Sequence, residues 1–117
     1  MEYYMFIDDE RNPADVTWSS NTRYAKCEWV ICRNAHEVNT CVKHNGMPTY
    51  ISFDHDLGEN KETGYDIAKS LILLDMDKKY KFPENFDFSV HSKNPIGAQN
   101  IKNLINGYFK FISESKD

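Results

Sequence analysis

Three short apolar runs, at residues 3–7, 49–53 and 86–90, each stop abruptly in a cluster of ionisable or hydrogen-bonding side chains. The first runs into Asp8-Asp9-Glu10-Arg11, the second into Asp54-His55-Asp56-Leu57-Gly58, and the third into His91-Ser92-Lys93-Asn94. Runs of this length, rich in aromatic and β-branched residues and bounded by polar clusters, have the character of buried strands. A further run at 28–32, Glu28-Trp29-Val30-Ile31-Cys32, is predicted as another strand.

Between the strands the period changes from 2 to 3.6. Asn34 with Glu37 three residues on is a capping-box signature for a helix carrying Val38, Cys41 and Val42 on one face, ended by Asn45-Gly46 and Pro48. A second helix is predicted at 65–74, where Ile67, Ala68, Leu71, Ile72 and Leu74 form the apolar stripe and Asp66 suits the first turn. A final helix is predicted from Gly97 to about Ile112, with Ile101, Leu104, Ile105, Tyr108, Phe109 and Ile112 facing inward, and the tail at 113–117 is expected to fray. Asn12-Pro13 turns the chain, residues 14–28 read as loop with one helical turn at 22–27, residues 59–64 read as a polar loop, and residues 75–84 as a charged connector.

Strands interleaved with helices predict an α/β layered domain with a mostly parallel sheet. Right-handed crossovers then place the C-terminal end of every strand on one edge, where open α/β sheets bind ligands. That step gathers the three polar clusters. A chain of 117 residues has room for a single domain, here 1–117. Its 14 basic and 18 acidic residues give a net charge of -4 with no basic run, which argues against duplex DNA as a partner. No apolar stretch approaches the roughly 18 residues of a membrane span and no charged leader precedes an apolar segment, so a soluble, cytoplasmic protein is expected. Cys27, Cys32 and Cys41 are odd in number and lack Cys-x-x-Cys spacing, which suits idle thiols in a reducing compartment. His36 and His44 are expected to be surface groups.

Asp8, Asp9, Asp54 and Asp56 are hard oxygen ligands that would repel one another if brought together, and Mg2+ or Mn2+ is the natural occupant between them. His55 and His91 are able to move protons near neutral pH. Ser92 and Asn94 offer neutral hydrogen bonds, Arg11 and Lys93 complement a phosphate, and the helix start at Gly97 offers unpaired backbone donors. Trp18 and Arg23 would contact a base and a phosphate if their segment folds over the site.

On these residues the chain resembles the two-component receiver domain, which carries an acidic pair after its first strand and an Asp after its third. It resembles more closely the receiver-derived family that processes cyclic phosphates, through Asp8-Asp9-Glu10-Arg11-Asn12-Pro13, Asp54-His55-Asp56-Leu57-Gly58 and His91-Ser92-Lys93-Asn94-Pro95-Ile96-Gly97, with Thr63-Gly64-Tyr65-Asp66 between the last two. The resemblance implies a receiver-like (flavodoxin-like) three-layer sandwich with a short four-stranded sheet. It implies a metal-assisted phosphoesterase acting on a cyclic nucleotide or an RNA 2′,3′-cyclic phosphate end, in bacteria or their viruses. Carried over, Asp8, Asp9 and Asp54 or Asp56 hold the metal, His55 and His91 are general acid and base, and Ser92 and Asn94 bind phosphate. One departure stands out: no fifth strand with its phosphate-sensing lysine follows the fourth, and Lys93 is not an obvious substitute. A non-catalytic module that binds a cyclic phosphate or a protein partner is the alternative.

Overall fold

The structure, a computed structural model, describes residues 2–58 and 61–115. Four strands, β1 (Tyr4–Ile7), β2 (Val30–Cys32), β3 (Tyr50–Phe53) and β4 (Asp87–Val90), form one sheet in the order β2-β1-β3-β4. Every pairing is parallel. All four predicted strands are present, each beginning one or two residues later than the apolar run suggested.

Successive strand residues face opposite sides of a sheet, and the two sides are covered differently. Met5, Ile7, Ile51 and Phe53 pack with Val38 and Val42 of α2 (Ala35–Asn45), Ile67 and Leu71 of α3 (Gly64–Met76), and Ile101 and Ile105 of α4 (Pro95–Ser115). All three long helices therefore lie on one face. The other face presents Phe6, against which pack Val16, Tyr24 and Trp29, from the segment holding a 3-10 turn (Pro13–Asp15) and the four-residue α1 (Arg23–Lys26). The third layer of the sandwich is thus a thin strap. Aromatic rings do what a helix would otherwise do: Tyr24 stacks on Trp29 at 5.5 Å, and Tyr4 stacks on Tyr50 at 5.1 Å. Each such pair adds about 0.5–1.5 kcal/mol beyond the area it buries. Residues 14–28, read as loop with one helical turn at 22–27, hold that turn at Arg23–Lys26 and cover the apolar sheet.

Helix starts follow local hydrogen bonds more closely than apolar period. Thr63 accepts the Asp66 N–H and the Asp66 carboxylate accepts the Thr63 N–H, a full capping box that starts α3 at Gly64. Asn34 accepts the Glu37 N–H at 2.9 Å, but the Glu37 carboxylate takes the Arg33 N–H at 2.7 Å, one residue before the expected partner. Asn94 Oδ1 accepts the Gly97 N–H at 2.9 Å and Pro95 needs no donor in the first turn, so α4 begins two residues before Gly97. It continues through Ser115 instead of fraying from 113; the last two residues of that tail and the first two of the 59–64 loop lie outside the described residues. α3 likewise runs on to Met76, because Asp75 is a buried clamp rather than connector. Its carboxylate accepts from the Tyr108 hydroxyl and from the Phe82 N–H, with the Lys81 ammonium 3.5 Å away.

His36 and His44 are exposed and all three cysteines are free thiols, as expected. Among the described residues no helix is long and apolar enough to cross a membrane.

Two glycines of different helices give opposite expectations for one substitution. A Cβ on Gly64 would lie 1.8 Å from the Asp54 carbonyl oxygen, whereas one on Gly107 would meet nothing within 4 Å. Gly64→Ala is expected to cost about 2 kcal/mol or more by overpacking, and Gly107→Ala to gain up to about 1 kcal/mol of helix propensity. Urea denaturation of the two variants, with midpoints moving in opposite directions, checks the pair.

Candidate functional site

Ile7, Phe53 and Val90 stand side by side in the sheet register, so the next residues of β1, β3 and β4 form the following row: Asp8, Asp54 and His91. The backbone ladder runs on into that row, with Asp54 N–H donating to the Ile7 carbonyl and His91 N–H to the Phe53 carbonyl, both at 2.9 Å. All three residues are buried. Alternation turns their side chains toward the strap-covered face, and one ligand atom from each lies within 4.8 Å of the other two, which makes this row the candidate cation site.

Asp8 is fully buried and fully partnered. Its Oδ1 accepts the N–H groups of Glu10 and Arg11 at 2.9 and 2.8 Å, and its Oδ2 accepts from His91 Nε2 at 2.9 Å. Burial pushes its pKa upward, but the two backbone donors and the imidazole outweigh that and hold it below the usual carboxylate value. An ionised carboxylate only accepts, so Nε2 carries the proton. Burial also lowers the pKa of His91, against the pull of Asp8, which leaves a neutral ring at pH 7. Nδ1 must then accept, and Ser52 Oγ donates to it at 2.7 Å. Ser52 in turn accepts from the Tyr24 hydroxyl at 2.5 Å, and Tyr24 accepts from Ser89 at 2.9 Å. The direction of every bond is set by Asp8. The imidazole reaches from β4 to β1 because Ser52, in the strand between them, is small enough to lie beneath it; the ring stacks on Phe6 at 4.4 Å.

Asp54 is less well provided. One oxygen accepts the N–H of His55 at 2.9 Å, and the Arg11 guanidinium stands 3.8 Å from the other and 3.5 Å from Asp8. Burial, then repulsion from Asp8, pushes its pKa up to about 6. Asp9, Arg11, Asp54, Asp56, Ser92, Lys93 and Asn94, together with Glu10, line one cleft of about 410 Å3 above the row. Seven of the eleven expected site residues therefore meet in that cleft. Asp8 and His91 do not line it; they are buried beside Asp54, which does.

The remaining two are placed elsewhere. The His55 ring packs against Gly97, whose missing Cβ would come within 2.4 Å of it, and borders a neighbouring cleft with Thr63, Tyr65 and Asn100. His55 reaches the main cleft only through Asp56, to which its Nδ1 bonds at 2.8 Å, and that bond lowers the Asp56 pKa. The Gly97 N–H is taken by Asn94 Oδ1, so this donor is committed to capping α4. Asn94 Nδ2 points to Asp56 at 3.4 Å. Asp9 and Asp56 stand at the rim, outside the close group of Asp8, Asp54 and His91.

Three residues with no expected role, Ser52, Tyr24 and Arg33, shape the site together with Trp18, which was expected to reach it if its segment folded over. Ser52 and Tyr24 fix the imidazole. Arg33 fixes the first loop by donating to the carbonyls of Asp8 and Arg11 and to Asn12 Oδ1. Trp18 donates its indole N–H to the His91 carbonyl at 3.0 Å. Of these, Ser52 carried a readable signal: a hydroxyl in the middle of an otherwise apolar strand requires a polar partner.

A parallel β2-β1-β3-β4 sheet with a buried acidic row at the C-terminal strand ends defines a receiver-like α/β domain. The chain matches the cyclic-phosphate processing receiver domain over residues 3–107, and it belongs to that family. No curated protein matches it. A solved chain, described as a yeast Spc42 trimeric coiled-coil segment fused to another structure, is similar over 88% of this chain, with 18% identity and a TM-score of 0.51. This chain spans 62% of that one, and the likeness concerns the fold alone.

The raised Asp54 pKa has a stability consequence. Its native carboxyl binds a proton more tightly than in the unfolded chain, so it stabilises the fold below about pH 4, and that contribution is lost as pH rises through about 6. At 1.36 kcal/mol per pKa unit the loss is up to about 3 kcal/mol. Asp54→Asn is expected to remove it, giving a flatter stability profile between pH 4 and 7.5 in chelator-treated buffer. Parallel profiles for variant and wild type in urea titrations would contradict this.

Proposed function

We propose that the chain is a metal-assisted phosphoesterase that opens a cyclic phosphate, either a cyclic nucleotide or an RNA 2′,3′-cyclic phosphate end. The observation that supports this reading is the meeting of two buried carboxylates, Asp8 and Asp54, with the phosphate-complementary groups of Arg11, Ser92 and Lys93 at one cleft. Asp8 and Asp54 hold Mg2+ or Mn2+. The donor set fits, because two carboxylates close enough for one to raise the other's pKa favour a divalent cation between them. Such a cation, when bound, supplies Lewis acidity and a water of lowered pKa.

The chain's own groups divide the remaining work. Arg11 and Lys93 neutralise the phosphate, and the Ser92 hydroxyl, which bonds to Asp54 in the free site, turns to orient it on binding. His91 has no free ring nitrogen, so it is a positioning residue: it fixes which way Asp8 presents its oxygens, as hydrogen-bonded partners of metal ligands do. His55 borders the neighbouring cleft and meets this one through its bond to the rim carboxylate Asp56, so a proton for the leaving alkoxide passes from His55 by way of Asp56.

The same occupied state of His91 favours a second reading, a module that captures a cyclic phosphate without opening it. Turnover separates the two. With Mg2+ or Mn2+, wild-type protein is expected to convert 2′,3′-cyclic AMP or an RNA 2′,3′-cyclic end to the phosphomonoester. Asp54→Asn is expected to lower kcat/KM by about 100-fold or more, and His91→Asn by about 10- to 100-fold. Unaltered ligand recovered from a tight, stoichiometric wild-type complex would replace hydrolysis with capture; no binding and no turnover would overturn both.

A further inference from the structure

Trp18 is 40% exposed although its segment neighbours Val16 and Tyr24 are buried. Its ring is held in place all the same, since the indole N–H bonds to the carbonyl of His91, 73 positions away, immediately before the phosphate-facing Ser92 and Lys93. Among the described residues the ring faces two cations of the cleft and stacks on no core ring. The Lys93 ammonium sits 4.4 Å from the ring centroid and the Arg11 guanidinium carbon 5.1 Å from it. Lys93 makes no ion pair or side-chain hydrogen bond among the described residues, whereas Arg11 is already placed beside Asp8 and Asp54.

A cation over an exposed ring is weakly held, and a charge-assisted bond to a phosphate oxygen is stronger. A phosphate in the cleft therefore draws Lys93 off the indole and bares a flat aromatic face beside the phosphate. Any nucleobase stacks on such a face, without regard to sequence. We propose that Trp18 is the nucleobase platform of this cleft, so that the ligand is a nucleoside cyclic phosphate rather than a base-free cyclic phosphodiester. This rests on the reading of the cleft as a phosphate site. The pinned indole N–H keeps the platform and the phosphate loop at a fixed spacing.

Two probes separate base from phosphate: 2′,3′-cyclic AMP and base-free glycerol 1,2-cyclic phosphate, each titrated with Mg2+ into wild type, Trp18→Ala and Trp18→Phe. Trp18→Ala is expected to weaken 2′,3′-cyclic AMP roughly ten-fold or more and to leave the glycerol compound within two-fold. Trp18→Phe keeps a stacking ring but no N–H, and is expected to restore most of the loss. Wild-type tryptophan fluorescence is expected to be quenched by the nucleotide through stacking, whereas the base-free probe, which only moves Lys93 off the ring, is expected to give no such quenching. Equal weakening of both probes would assign Trp18 to holding Arg11 and Lys93 and overturn the platform, as would equal wild-type affinity for the two. Failure of wild type to bind either would overturn the phosphate reading itself. Matching thermal midpoints for the three proteins guard against a folding defect.

Discussion

One buried contact, His91 Nε2 to Asp8 Oδ2, organises this molecule. It ties the end of the fourth strand to the end of the first across the strand between them, which backbone pairing cannot do. An ionised carboxylate in a dry site is expensive unless each lone pair is met, and Asp8 is met by two backbone N–H groups and the imidazole. The two backbone donors belong to Glu10 and Arg11, so the same carboxylate that anchors His91 also folds the first loop back on itself. That loop carries Arg11 into the cleft. Arg33 then closes it from the second strand through the carbonyls of Asp8 and Arg11. Loop, cation and imidazole are consequences of where one charge sits.

The unequal covering of the sheet follows from the same row. With three long helices on one face, the ends of β1, β3 and β4 are free to turn their functional side chains toward the other, where a full helix would have filled the space. A short strap covers the apolar part of that face with Val16, Tyr24 and Trp29, and between them its rings leave a polar track from Asp8 through His91 and Ser52 to Tyr24 and Ser89. Replacing a helix by aromatic rings costs little: each buried large side chain contributes about 1.5–3 kcal/mol, and the hydroxyls at the ring edges find partners.

How much of this was legible follows from how local each cause is. The strands and their shared edge were readable because apolar runs and their polar ends are contiguous in sequence, and so were Asp8, Asp54 and His91 as members of one site. The Asp54 and Asp56 alternatives were not separable, since residues two apart in an extended chain take the same face, and only the folded sheet shows that β3 ends at Phe53, leaving Asp54 buried beside Asp8 and His91 and Asp56 exposed in the loop beyond. The cleft brought Asp9, Arg11, Ser92 and Lys93 together as the clusters suggested. His55 and Gly97 diverged for a steric reason: the imidazole fills the space that the glycine leaves open, so these two residues serve each other. Asp75 was misread as connector because its partners, Phe82 and Tyr108, are reached by turning the chain back and by a different helix.

Asp8 and Asp54 show how donor supply separates two neighbouring buried carboxylates. They are adjacent in one row and equally hidden from water, yet one is held below the ordinary carboxylate value and the other is lifted to about 6. The difference lies in donors: Asp8 has three strong ones, whereas Asp54 has a neighbouring N–H, the Ser92 hydroxyl, a guanidinium at the edge of ion-pair range, and a negative charge beside it. A fold under selection for stability alone would have satisfied Asp54 or replaced it. A carboxylate lifted in this way is eased by a proton or by positive charge brought near it, which is why its contribution to the fold changes between about pH 4 and 6. The least comfortable residue of the row is accordingly the one whose contribution to the fold is most open to a ligand.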